Sequence, residues 1–131
     1  MKTLIVEDDF VSRLLLQEFL KEYGPSHVAV NGKEAVEAVR IALNVGEPYH
    51  LICLDIMMPE MDGQEALRQI RRLEEEKEVF GARRARIIMT TALADRGNVI
   101  KAAEARCDHF LVKPIEKARL LTALRDLGLI Q

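Results

Sequence analysis

Tryptophan is absent from this chain of 131 residues, cysteine occurs twice and proline four times. Cys53 and Cys107 lie too far apart to make a close metal-binding pair, and two thiols make no disulfide framework. They read as reduced thiols of a cytoplasmic protein, with Cys53 a small core residue inside an apolar run. No apolar run approaches the roughly 18–20 residues that a transmembrane helix requires. The start, Met1 to Val6, has one lysine and a very short apolar stretch before acidic residues, unlike a secretory signal. A net charge of −2 argues against a nucleic-acid footprint over the whole surface. What is present is globular material, 49% apolar and 31% charged, in a length that suits one domain with its own core.

Short apolar runs alternate with helical patterns five times over. Thr3–Val6 predicts a strand, and a helix follows from an Asp9 cap to about Tyr23, stopped by Gly24-Pro25. His27–Val30 predicts a second strand. Asn31-Gly32 then opens a helix over Lys33–Asn44, with Ala35, Val36, Val39, Ala42 and Leu43 on one stripe. The third strand falls at His50–Leu54, the loop at Asp55–Gly63, and a helix begins near Gln64. Arg86–Thr90 is the fourth strand, a helix follows around Arg96–Ala105, and His109–Val112 is the fifth strand. An amphipathic helix over Glu116–Leu127 closes the chain, with Leu120, Leu121, Leu124 and Leu127 inward.

This alternation predicts an α/β three-layer sandwich, a five-stranded parallel sheet with helices on both faces. Near-continuous apolar strands such as Leu51-Ile52-Cys53-Leu54 support burial on both faces. The charged stretches Glu74–Glu78 and Arg83-Arg84…Arg86 read as solvated groups at a helix end and loop. His27, His50 and His109 sit at strand starts and read as structural. In the first helix, Leu15, Leu16, Phe19 and Leu20 share the inward stripe. Leu14 points nearly opposite, with Val11 to its side.

In parallel sheets of this kind, polar sites gather at the carboxyl ends of the strands. There the chain puts Glu7-Asp8-Asp9, Asp55, Thr90-Thr91 and Lys113-Pro114, each directly after an apolar run. Two carboxylates ~4 Å apart repel by roughly 4 kcal/mol at an effective dielectric near 20. A hard divalent cation relieves that repulsion, and a few carboxylates with water and substrate oxygens suit Mg²⁺. Lys113 adds a point charge for a carboxylate or phosphoryl oxygen, and Thr91 a hydroxyl. Together these are the parts of phosphoryl transfer to a carboxylate, with one aspartate as nucleophile.

At these residues the chain resembles a response-regulator receiver domain of the CheY-like, flavodoxin-like fold. The matching stretches are Leu4 to Asp9, Leu54 to Gly63, Met89-Thr90-Thr91-Ala92 and Leu111-Val112-Lys113-Pro114-Ile115. The resemblance covers essentially the whole chain and implies the strand order 2-1-3-4-5. It implies Asp55 as phosphoacceptor, Asp9 as a direct Mg²⁺ ligand, Asp8 as a ligand through water, and the Met57 carbonyl as a further ligand. It also implies Thr91 as the phosphate-binding hydroxyl, a cis Lys113–Pro114 peptide, and Phe110 as the aromatic that turns inward when Thr91 moves.

The expected activity is self-catalysed phosphotransfer and autodephosphorylation in a bacterial two-component system or phosphorelay, rather than an enzyme acting on other substrates. The phosphoryl donor would be a sensor histidine kinase or a phosphotransfer protein docked near Val11 and Leu14. The chain stops soon after the last helix, so no output domain is expected, and no nucleic acid or membrane partner. Output would be a protein contact at the face of the fourth helix, fifth strand and fifth helix, or onward relay to a histidine. A phosphatase with an aspartate nucleophile would want a second aspartate where Met57 stands, and a flavin binder a Ser/Thr/Gly-rich loop where Glu7-Asp8-Asp9 stands.

Arg106 stands where many such domains have glycine, and the stretches Asn44–His50 and Glu74–Ala85 are longer than in compact relatives. Met57 and Leu93 occupy positions that tune phosphoryl lifetime in the family, and both are apolar. The hypothesis is that they shield the acyl phosphate from water. Leu93→Asn is therefore expected to speed dephosphorylation, and an unchanged rate in a radiolabel-decay assay would remove the idea.

Overall fold

The computed structural model describes residues 1–58, 60–92 and 107–131. The predicted helix at 96–105, Leu93 and Arg106 lie outside the described residues. Five strands form one parallel sheet in the order β2-β1-β3-β4-β5: β1 Thr3–Val6, β2 Ser26–Ala29, β3 Leu51–Asp55, β4 Arg86–Thr91 and β5 His109–Val112. The helices are α1 Phe10–Leu20, α2 Gly32–Asn44, α3 Gly63–Glu76 and a C-terminal helix Lys117–Asp126. The turn expected to prolong the first helix is a separate 3-10 turn, Lys21–Tyr23. Gly24 then takes φ 129°.

Side chains alternate across the strands, which gives the sheet two apolar faces. Leu4, Val6, Ile52, Leu54, Ile87 and Met89 pack with residues of α2 and α3. Ile5, Leu51, Cys53 and Ile88 pack with Leu16 and Leu20 of α1 and with Leu120, Ala123 and Leu124 of the C-terminal helix. The burial of Cys53 pushes its thiol up to about 12, as suits a core residue rather than a reactive one. Among the described residues no helix is long and apolar enough to cross a membrane.

The helices that follow β1, β2 and the β3 loop are each started by a polar cap at the carboxyl-end rim. Asp9 accepts from the Ser12 N–H at 2.9 Å, Asn31 from Glu34 at 2.8 Å and Asp62 from Glu65 at 2.9 Å. Each satisfies one of the N–H groups that a helix start leaves unpaired. The first helix departs from its predicted wheel at one position. Leu15 is 43% exposed, and the inward stripe is carried by Leu16 and Leu20.

The reading of Glu74–Glu78 as solvated charge is corrected at Glu74, which is buried. One Glu74 oxygen accepts from Arg71 Nη1 at 2.7 Å and the other from the Ala85 N–H at 2.7 Å. Arg71 also donates to the Ala85 carbonyl at 2.9 Å and to Asp108 at 2.8 Å, and Asp108 accepts from the Ile87 N–H at 2.7 Å. This network ties the end of α3 to the start of β4 and the approach to β5. The helix had to reach its last turn beside the sheet for Glu74 to be covered, which a local charge count does not reveal. Arg71→Ala leaves two carboxylates without their cation, so a loss of about 3–5 kcal/mol is expected from urea unfolding.

Candidate functional site

The site is built at the carboxyl ends of β1, β3, β4 and β5. Asp55 is the last residue of β3, pairs in register with Thr90 of β4, and is 4% exposed. The ladder continues one step beyond it, because the Ile56 N–H donates to the Thr90 carbonyl at 3.0 Å. The chain then loops back so tightly that the Gly63 N–H donates to the Ile56 carbonyl at 2.8 Å. A Cβ at Gly63 would lie 2.2 Å from the Asp55 carbonyl oxygen, so only glycine permits this closure. One Asp55 oxygen accepts from the Met57 N–H at 3.2 Å and the other from Lys113 Nζ at 3.2 Å.

Lys113 follows β5, and its peptide bond to Pro114 is cis. Its N–H donates to the Thr91 carbonyl at 2.6 Å, which aligns the two strand ends. Its ammonium reaches Glu7 at 2.5 Å as well as Asp55. Burial pulls the Lys113 ammonium down, but the Glu7 hydrogen bond and the Asp55 charge outweigh it and hold it above its ordinary value. Burial pushes the Glu7 carboxyl above the usual carboxylate range; Lys113 pulls it back and Asp55 pushes it further up. The pair is thus short of positive charge.

Carboxylate oxygens of Glu7, Asp8 and Asp55 lie within 4.8 Å of one another. Asp8 and Asp55 meet as expected, but the third member is Glu7 rather than Asp9. The Asp9 carboxylate caps α1, and the Ser12 N–H it accepts holds it below the usual range. The cap engages one Asp9 oxygen, Oδ2, and so competes with direct metal binding for that atom. The Glu7 carboxylate also accepts from the Asp9 N–H at 3.1 Å, which turns it toward the rim. Glu7 was legible as the first acid after the apolar run of β1, but its burial was not. Three crowded carboxylates against one ammonium, with hard oxygen donors only, fit a divalent cation such as Mg²⁺.

The remaining predicted residues are found as follows. Thr91 ends β4 and is buried, and so is Thr90 before it. Phe110, on the edge strand β5, is 39% exposed. The Met57 side chain is 68% exposed, so the burial of the Asp55 carboxylate comes from other neighbours. Val11 and Leu14 are exposed on α1 as expected, joined by Phe10 and Leu15. Of the three histidines, His27 bonds Tyr49 Oη at 2.7 Å and His50 Nδ1 accepts from the Lys2 N–H at 2.9 Å, away from the rim. His109 Nδ1 lies 2.9 Å from the Phe110 carbonyl.

Residues 3–125 match the family described as the response regulator receiver domain. The chemotaxis protein CheY of Bacillus subtilis is 34% identical over 94% of this chain and 93% of its own length. The osmosensing histidine protein kinase SLN1 of Saccharomyces cerevisiae is 32% identical over 95% of this chain, which spans only 10% of that kinase. Among solved structures, the receiver domain of the Arabidopsis thaliana histidine kinase CKI1, complexed with Mg²⁺ and BeF3⁻, superposes with a TM-score of 0.83 at 30% identity. That match covers 97% of this chain and 89% of the other. With a parallel sheet in the order 2-1-3-4-5 and acids, threonine and lysine at one rim, this chain belongs to the response regulator receiver domains of two-component and phosphorelay signalling.

Proposed function

We propose that Asp55 accepts a phosphoryl group from a histidine kinase or phosphotransfer protein in a Mg²⁺-dependent reaction, and that the domain switches protein contacts in response. The observation that carries this reading is the convergence at one rim of the Glu7, Asp8 and Asp55 carboxylates, within 4.8 Å of one another, with Lys113 paired to Glu7 and Asp55. An Asp55 carboxylate oxygen attacks phosphorus in line while the bond to the donor nitrogen breaks, leaving an acyl phosphate. Lys113 shifts from a carboxylate to a phosphoryl oxygen, and Thr91 offers its hydroxyl to another. Glu7, Asp8, Asp55 and the Met57 carbonyl would hold Mg²⁺, which supplies neutralisation of the incoming phosphoryl oxygens.

The same chemistry serves output or relay. Phosphorylation adds roughly −1.5 to −2 charge, to which Thr91 and Lys113 are well disposed to respond. Thr91 moving toward the phosphoryl group makes room for Phe110, now partly exposed, to turn inward. That couples the site to the face of β5 and the C-terminal helix, where a target protein docks. The exposed Phe10, Val11, Leu14 and Leu15 of α1 suit the phosphoryl donor, or a histidine protein receiving the group onward. The domain works in the cytoplasm, with hydrolysis of its own acyl phosphate as its only other reaction.

Beryllofluoride with Mg²⁺ tests the reading in one titration. Amide shifts around Asp55, Thr91 and Phe110 are expected; Asp55→Asn is expected to abolish them all, and Thr91→Ala to abolish those at Phe110 alone. A wild-type protein whose spectrum does not move would overturn the proposal.

The ligand set has its own test. Glu7→Gln is expected to weaken Mg²⁺ binding by about tenfold or more, as the loss of one charged ligand implies, while raising metal-free stability by about 1 kcal/mol through relieved repulsion. Asp9→Asn keeps a good helix cap and is expected to change Mg²⁺ affinity by less than about twofold. Calorimetric titration reads both. Equal losses in the two variants would return Asp9 to the metal.

A further inference from the structure

A second cleft lies where the strands begin, on the order of 15 Å along β3 from Asp55 at about 3.3 Å per residue. Its volume is about 590 Å³, inside the range of roughly 300–1,000 Å³ common for small-ligand sites. Its walls come mainly from the two stretches between α2 and β3 and between α3 and β4. Leu43, Pro48 and Tyr49 line one side, Val79 another, and Leu127 and Leu129 a third.

Three arginines line the same cleft, Arg83, Arg84 and Arg86, with His50 among the other lining residues. Arg83 donates to the Glu78 carbonyl at 3.1 Å, a neutral acceptor that leaves its charge uncompensated. Arg84 lies 4.0 Å from Asp108, a carboxylate already taken by Arg71 at 2.8 Å. The Arg86 guanidinium has no hydrogen bond or ion pair among the described residues. Lys2 adds a further cation near the mouth, donating to the Glu47 carbonyl and standing 4.4 Å over the Tyr49 ring. Positive charge thus collects in an otherwise apolar cleft, and among the described residues only the Asp108 carboxylate, 4.0 Å from Arg84, pairs with it.

We propose that this cleft is a binding site for a small amphipathic anion. The apolar body of the ligand lies against Leu43, Tyr49 and Leu129, and its anionic head meets Arg86 and Arg83. Arginine suits that task, because its planar fork can bind a carboxylate, sulfonate or phosphate through two parallel hydrogen bonds. The site is independent of the phosphoryl chemistry at the other end of the sheet and stands whether or not Asp55 is phosphorylated.

The probe is 8-anilino-1-naphthalenesulfonate, with neutral N-phenyl-1-naphthylamine as its uncharged counterpart, titrated into the intact chain. Saturable one-to-one binding of the sulfonate is expected, with amide shifts confined to residues 43–50, 79–86 and 127–129. The neutral compound is expected to bind at least about tenfold more weakly. Arg83→Gln/Arg86→Gln, whose side chains carry no core packing, is expected to weaken the sulfonate by about tenfold while leaving the neutral compound unaffected. Leu129→Glu, which sets a like charge on the apolar wall, provides a second variant with the same expected loss. No saturable binding, shifts centred on β5 and the C-terminal helix, equal affinity for the neutral compound, or folded variants that keep full affinity would each overturn the proposal.

Discussion

The Lys113 ammonium is the contact on which the carboxyl-end rim depends. From the end of β5 it reaches Glu7 after β1 and Asp55 at the end of β3, and so links the ends of three of the five strands. It stands against three carboxylates, two of them, Glu7 and Asp55, buried. At separations of ~4 Å each carboxylate pair costs roughly 4 kcal/mol at an effective dielectric near 20, and one cation cannot cancel all of them. The rim is held in shape but left short of positive charge. That shortage is what makes it receptive to a divalent cation, and the cation in turn makes it receptive to a phosphoryl group.

The opposite end of the sheet uses the same kinds of groups to the opposite effect. Around Arg71, Glu74 and Asp108 each accept from a guanidinium and from a backbone N–H. A buried network with its partners complete is rigid, and one lacking a partner is costly. The completed network fixes where β4 and β5 begin. The incomplete one sits where those strands end. Stability and reactivity are therefore separated along the strand direction, by the length of a single strand.

Much of this was legible in the sequence because it depends on periodicity and sequence order. Apolar runs of the right length gave five strands, each within a residue or so of its observed bounds, and the groups after them came to one rim. Asp55, Asp8, Thr91 and Lys113 could be placed on that basis alone. Two assignments failed, and a third met a competitor, where the outcome depends on tertiary neighbours. Asp9 could cap a helix or bind a metal; the Ser12 N–H takes one of its oxygens, and it is Glu7 that stands closest to Asp8 and Asp55. Glu74 looked solvated until α3 was laid against the start of β4. Leu15 lies on the margin of the inward stripe, and the sheet under α1 is covered by Leu16 and Leu20 without it.

The exposure of Leu15 changes what α1 can do. Phe10 with Leu14 and Val11 with Leu15 stand four residues apart, and Val11 with Leu14 three, so the four form one continuous patch on the helix surface. Full burial of such side chains gives about 1.5–3 kcal/mol each over leaving them exposed, and these are already partly covered. Association costs about 4–15 kcal/mol in lost freedom before any gain appears. A patch of four therefore yields a contact that forms and releases readily rather than a permanent one. That balance suits the proposed donor, which must come close enough to pass a phosphoryl group to Asp55 and then leave so that the other face of the domain can report the result.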